Sequence, residues 1–186
     1  VFKEYFSAGV EAATSTARLG LANSTAGLAV AVISPVLGAI ADGSSAKKRF
    51  LAAFATMGIA STLCLPLADS SQWALACVLY TLALAGFLGG NVFYDSLLKS
   101  VCTNAEADRV SSLGYALGYL GGGLLFAFNV WVLADPSRLG LAGPLDAARF
   151  SFFTVGAWWA VFTVPLLVFV HEPRGPAVSI VHAALG

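Results

Sequence analysis

The sequence predicts an all-α integral membrane protein of about five transmembrane helices. Three observations carry that expectation. Hydrophobic residues make up 58% of the 186 residues and charged residues only 11%, whereas a soluble domain carries about 25% charged residues. The apolar residues fall into long runs without a single charge. The charges gather in the gaps between those runs.

A spanning helix needs about 20 mostly apolar residues, because each rises about 1.5 Å through a hydrocarbon core of about 30 Å. The runs Leu19 to Ala41, Phe50 to Ala68, Trp73 to Tyr94, Val110 to Ala134 and Phe150 to Val170 meet that requirement. The third continues past Asp95 to Leu98, which sets the expected spans at 19–41, 50–68, 73–98, 110–134 and 150–170 of a bundle covering 19–171. Barrel strands would alternate in shorter pieces. Pro35, Pro66 and Pro165 fall within the runs, and membrane helices accept proline where neighbouring groups take up the freed carbonyls.

Outside the bundle, residues 1–18 read as the end of a missing first helix plus an outer loop. The chain opens on Val1, and Met57 is its only methionine, so sequence upstream is expected. Residues 172–186 read as a cytoplasmic tail or linker. The Lys47-Lys48-Arg49 cluster places its loop in the cytoplasm by the positive-inside rule. The Lys99–Arg109 loop and the tail then share that side.

Several function classes are disfavoured. Ten basic and ten acidic side chains cancel, so there is no basic field for nucleic acid. Cys64, Cys77 and Cys102 match no metal or redox spacing. His171 and His182 have no metal-ligand spacing, and no catalytic triad or phosphate loop is present. The sequence therefore points to no enzyme, no catalytic residue, no metal and no cofactor. The partners it implies are the lipid bilayer, a small-molecule substrate and further transporter helices, namely the missing first helix and a C-terminal half.

Three constellations carry the functional reading. After the first run stand Gly38, Asp42, Lys47, Lys48 and Arg49. A glycine allows close helix approach, an acid sits where the helix leaves the bilayer, and bases follow at headgroup level. This is either a cytoplasmic latch or an ordinary positive-inside loop. On the third run, Gly86 and Gly90 form a small packing face. There Asn91, Asp95 and Lys99 recur at i, i+4 and i+8 on one helix face. Asp95 either serves a cavity or a coupling step, as intramembrane acids do, or pairs with Lys99 or Arg109 at the interface. On the fourth run, Gly114, Gly118 and Gly122 form a stripe expected to pack a neighbouring helix, so that Gly118→Leu would clash. Tyr115 and Tyr119 on that run either line a cavity or pack. Asn23, Ser34, Thr81 and Asn129 are further polar candidates. Trp158 and Trp159 lie mid-span, where packing or cavity lining suits them.

Four stretches together resemble one branch of the major facilitator superfamily: SPVLGAIADGSSAKKRF, GNVFYDSLL, RVSSLGYALGYLGGGLLFAFNVW and VGAWWAVFTVPLLVFVHEPR. The branch is that of the unknown major facilitators related to the fungal vacuolar amino-acid effluxers linked to autophagy. The Gly-x-x-x-Asp-…-basic turn resembles the superfamily's latch, although Gly43 stands where a base usually follows the acid. The glycine-rich run resembles the fifth-helix motif of facilitator-type antiporters, with Tyr119 in the place of a proline. The resemblance implies a twelve-helix parent in which this chain forms part of the N-terminal six-helix half. It also implies alternating access by rocking of two halves. The expected function is secondary active or facilitative transport of a small organic solute, with amino-acid efflux the first reading, in a multi-pass protein of the bacterial inner (plasma) membrane. The alternatives are a non-transporting scaffold or incomplete fragment, and a lipid transporter of the same fold.

Overall fold

A computed structural model describes residues 9–69 and 71–172, with the side chains of residues 42–44 and 99 outside that description. Residues 1–8 and 173–186, and with them most of the expected outer segment and tail, lie outside the described residues. Every regular element among the described residues is helical. Five are long and apolar enough to cross a membrane. They are α1 (Ala12–Ser44), α2 (Lys47–Cys64), α3 (Trp73–Leu97), α4 (Ala107–Ala134) and α5 (Pro144–Phe169). Helices suit these sequences because hydrocarbon offers no partner to a backbone N–H or C=O, and a helix satisfies each one within its own segment.

The helix ends differ from the charge-free runs for local reasons. α1 starts at Ala12 rather than at Leu19 and so carries Arg18. That cation is accommodated by Trp73 at the start of α3, whose ring centre lies 3.8 Å from the guanidinium carbon. At its far end α1 runs on through Asp42 and Gly43. The turn is made by Ser45 in the left-handed region, at φ 50°. α2 stops at Cys64, and Pro66 falls in the single 3-10 turn Leu65–Leu67 that follows. Proline fits there because its nitrogen has no hydrogen to give the helix. A second 3-10 turn, Leu98–Ser100, prolongs α3. Before α4, the Thr103 hydroxyl and N–H both donate to the Glu106 carboxylate. Those bonds hold its carboxyl below the usual carboxylate range.

α3 is the central helix, packed against α2 on one side and α1 on the other. α5 lies against α2, and α4 lies against α5. The α2–α3 seam is built on glycine. A methyl group at Gly86 would sit 2.7 Å from the Gly58 Cα, the Gly58 nitrogen and the Phe54 carbonyl oxygen. One at Gly89 would sit 2.5 Å from the Phe54 ring. Gly58 in turn receives the ring of Trp159 from α5, and Gly156 faces the Leu63 side chain. Small residues are what allow helices to touch in lipid, where close packing has to replace the hydrophobic effect. Toward the Lys47 end, Phe93 stacks on Phe50 and Phe54 at centroid distances of 5.2 and 5.9 Å.

Polar side chains fasten the outer helices. Tyr80 of α3 donates to Asn23 of α1 at 3.0 Å. Thr154 of α5 donates to the Asn129 carbonyl of α4 at 2.9 Å, while the Asn129 amide donates to the Leu125 carbonyl. Interhelical bonds of this kind are worth about 0.6 kcal/mol in lipid. A double-mutant cycle of Asn129→Leu and Thr154→Val is therefore expected to return a coupling of about that size. Strictly additive losses in detergent unfolding would mean that this bond does not hold α4 in place.

Candidate functional site

The row of packed neighbours α1, α3, α2, α5, α4 brings α4 to face α3 across a cleft instead of packing on it. The cleft has a volume of about 610 Å³, within the range of small-molecule sites. α3 contributes Phe87, Tyr94, Asp95 and Leu97, and the following turn adds Leu98 and Val101. α4 contributes Val110, Ser111, Gly114, Tyr115, Gly118 and Tyr119. Leu166 and Val170 close it from α5 and its end. Among the described residues Asp95 is the one charged residue in this lining. Its carboxylate makes no ion pair or hydrogen bond with any described residue.

The cleft brings Asp95, Tyr115 and Tyr119 together. Asn91 is exposed and does not line it. Arg109, one of the two bases expected to pair with Asp95, is exposed and does not contact it. The Lys99 side chain lies outside the described residues. Tyr94, Ser111 and Phe87 join the site without having been singled out from sequence. Two of them had a readable signal. Tyr94 adjoins Asp95, and Ser111 stands one helical turn before Tyr115 on α4.

The glycines divide into two groups. Gly86 is in tight backbone contact, as described, and a methyl at Gly90 would find the Leu51 side chain at an ordinary 3.8 Å. At Gly114 the added methyl would lie 3.5 Å from the Tyr94 hydroxyl, an ordinary contact across the cleft. At Gly118, Gly122 and Gly38 it would meet nothing within 4 Å. The structure therefore departs from the expectation that Gly118→Leu clashes among these helices. Gly118 lines the cleft where α4 stands away from α3, and Gly122 lines a second hollow between α4 and α5.

The basic turn has a partner that sequence reasoning did not assign. Glu172, just past α5, accepts hydrogen bonds from the Lys47 N–H at 2.7 Å and the Lys48 N–H at 3.2 Å. The Lys48 ammonium donates to the Val170 carbonyl at 2.7 Å. Lys47 and Lys48 thus act first through their backbone. They open α2, whose first N–H groups have no partner within the helix. A carboxylate there also meets the positive end of the helix dipole. Arg49 is exposed, and the Asp42 side chain lies outside the described residues. Glu172→Ala is expected to cost about 1 kcal/mol, as lost caps do, with Glu172→Gln in between. A melting temperature in detergent equal to wild type for both would mean that the cap carries no stability.

Comparison with known proteins places this architecture. The sequence profile of the family described as Vacuole effluxer Atg22 like matches residues 5–106 and 99–185. The chain belongs to this family. Its relationship to major-facilitator transporters is equally direct. The uncharacterized MFS-type transporter YxiO of Bacillus subtilis (strain 168) is 38% identical over 165 residues, covering 88% of this chain and 39% of that protein. Autophagy-related protein 22 of Pichia angusta is 27% identical over 157 residues, covering 72% of this chain and 27% of that protein. Autophagy-related protein 22-1 of Penicillium rubens is 31% identical over 68 residues, covering 37% of this chain and 11% of that protein. The chain thus spans well under half the length of these relatives. No solved structure matches it. Family membership and the five apolar helices together make it a multi-pass membrane protein.

Proposed function

We propose that this chain forms helices of the N-terminal half of a secondary carrier that moves a small organic solute by alternating access, in a bacterial inner (plasma) membrane. Amino acids are the first solutes to test. The observation that carries the reading is the α3–α4 cleft, a roomy, largely apolar space with four aromatic rings that holds one carboxylate unpaired among the described residues, within a helix bundle of this family. Open pockets with few polar groups are where carriers and receptors hold organic solutes. The turn at Gly38, Asp42, Lys47, Lys48 and Arg49 serves as the cytoplasmic latch.

The test is exchange of labelled amino acids into proteoliposomes loaded with a mixed amino-acid pool, using the protein that the full reading frame encodes, with and without a proton gradient. Saturable exchange that slows in Asp42→Asn while membrane insertion is unchanged is the expected result. Exchange that is indifferent to Asp42→Asn would remove the latch role. No exchange by folded protein would remove amino acids as the solute and favour another solute, a lipid or a non-transporting role.

A further inference from the structure

The cleft offers a strongly one-sided chemistry. Among the described residues its single charge is the Asp95 carboxylate, and none of their cations lines it or pairs with that group. Asp95 is exposed and stands two residues before the end of α3, inside the apolar stretch that is long enough to span a membrane, and a carboxylate in such a stretch is costly enough to suggest a charged ligand. The surrounding surface is mostly apolar, with aliphatic side chains and four aromatic rings. Phe87 and Tyr94 come from α3, and Tyr115 and Tyr119 from α4. Ring faces attract ammonium groups and hold flat apolar bodies equally well.

We infer that the α3–α4 cleft reads the ammonium group of its solute, and that it takes an organic monocation with an apolar body in preference to a zwitterion or an anion. This rests on the carrier reading and moves its solute class from amino acids to amines. An amine seated on Asp95 gains a charge partner, and its hydrocarbon part lies against the tyrosine rings. An α-amino acid in the same pose would bring its own carboxylate within a few bonds of Asp95. Among the described residues no lining cation would receive that second charge, and the hydroxyls of Tyr94, Tyr115 and Tyr119 compensate it only in part. A phosphatidylethanolamine headgroup carries the same ammonium but also a phosphate, and meets the same repulsion. The proposal is accordingly a soluble amine.

Three probes share one body and differ in charge: phenylethylamine is a cation, phenylalanine a zwitterion and 3-phenylpropionate an anion. Binding of each, labelled, is measured to the full protein in phosphatidylglycerol nanodiscs. Phenylethylamine is expected to bind saturably and on the order of tenfold or more tighter than the other two. Asp95→Asn is expected to abolish that preference and Asp95→Glu to restore it. Tyr119 is 81% exposed, so Tyr119→Leu leaves packing intact and should weaken phenylethylamine by a few-fold. That variant carries the test if Asp95→Asn does not purify as folded protein. Equal binding of phenylalanine, or amine binding unchanged in both variants, overturns the inference. Amine binding that disappears when phosphatidylethanolamine is added overturns the soluble-amine assignment in favour of lipid. The carrier reading is tested separately. Exchange of solutes without amine preference sinks only the inference, whereas Asp95-dependent amine binding without any exchange upholds the site and sinks carriage.

Discussion

Gly86→Val is expected to leave little folded protein. The first added carbon would sit 2.7 Å from three backbone atoms, the Cα and nitrogen of Gly58 and the carbonyl oxygen of Phe54. No rotamer change clears a backbone atom, so α2 and α3 would have to separate along the most extensive seam in the bundle. Overpacking a core costs about 1–3 kcal/mol where side chains can yield, and here none can. A loss of about 3 kcal/mol or more is expected, enough to remove the monodisperse peak in detergent on heating. Gly118→Leu is the control, since space is open at that position. It should melt close to wild type. Equal damage from both variants would mean that α2 and α3 do not meet through Gly58 and Gly86.

Phe93→Ala should produce the next largest loss. Phe93 is 2% exposed and belongs to a cluster with Ala41, Leu51 and Leu97 that ties α1, α2 and α3 together. In water, truncating such a ring costs about 3–5 kcal/mol. In lipid the transfer term shrinks, because acyl chains are as apolar as the core. What remains is the lost dispersion contact with Phe50 and Phe54 and the cavity left behind. About 2–3 kcal/mol is expected, with Phe93→Leu losing less than half of that. The measurement is the unfolding midpoint in a denaturing detergent. A Phe93→Ala midpoint equal to that of Phe93→Leu would show that the stack contributes no packing energy.

The five helices were legible because lipid excludes charge, so the edges of the charge-free runs mark them to within about two turns. Arg18 escaped that rule because the partner that makes it tolerable, Trp73, lies far away in sequence. The seam glycines show the same limit. Gly86 and Gly90 announce themselves by their spacing, but Gly58 and Gly156 stand alone in their spans. Only the assembled bundle reveals that Trp159 and Leu63 fill the space above them. The stripe at Gly118 and Gly122 has the right spacing, yet it faces space among the described helices, since spacing defines a face but not what covers it. At the cleft, Asp95, Tyr115 and Tyr119 could be picked out by type and position. That they share one space depends on α4 standing off α3, which no local pattern encodes. The Glu172 contact was invisible for a similar reason. A Glu after the last span looks like the start of a linker until the chain folds back on residues 125 positions earlier.

That contact fastens the covalent chain into a closed ring. Residues 47 to 172 begin and end at one point, held by two N–H donors and one carboxylate. α1 enters the ring there, and the residues after Glu172 leave it there. Tension applied to the segment beyond Glu172 would therefore be delivered first to the start of α2, not along the length of α5. Two hydrogen bonds, rather than a helix, would be the first thing to yield. The ring would open like a clasp, with the seam of Gly58 and Gly86 still shut behind it.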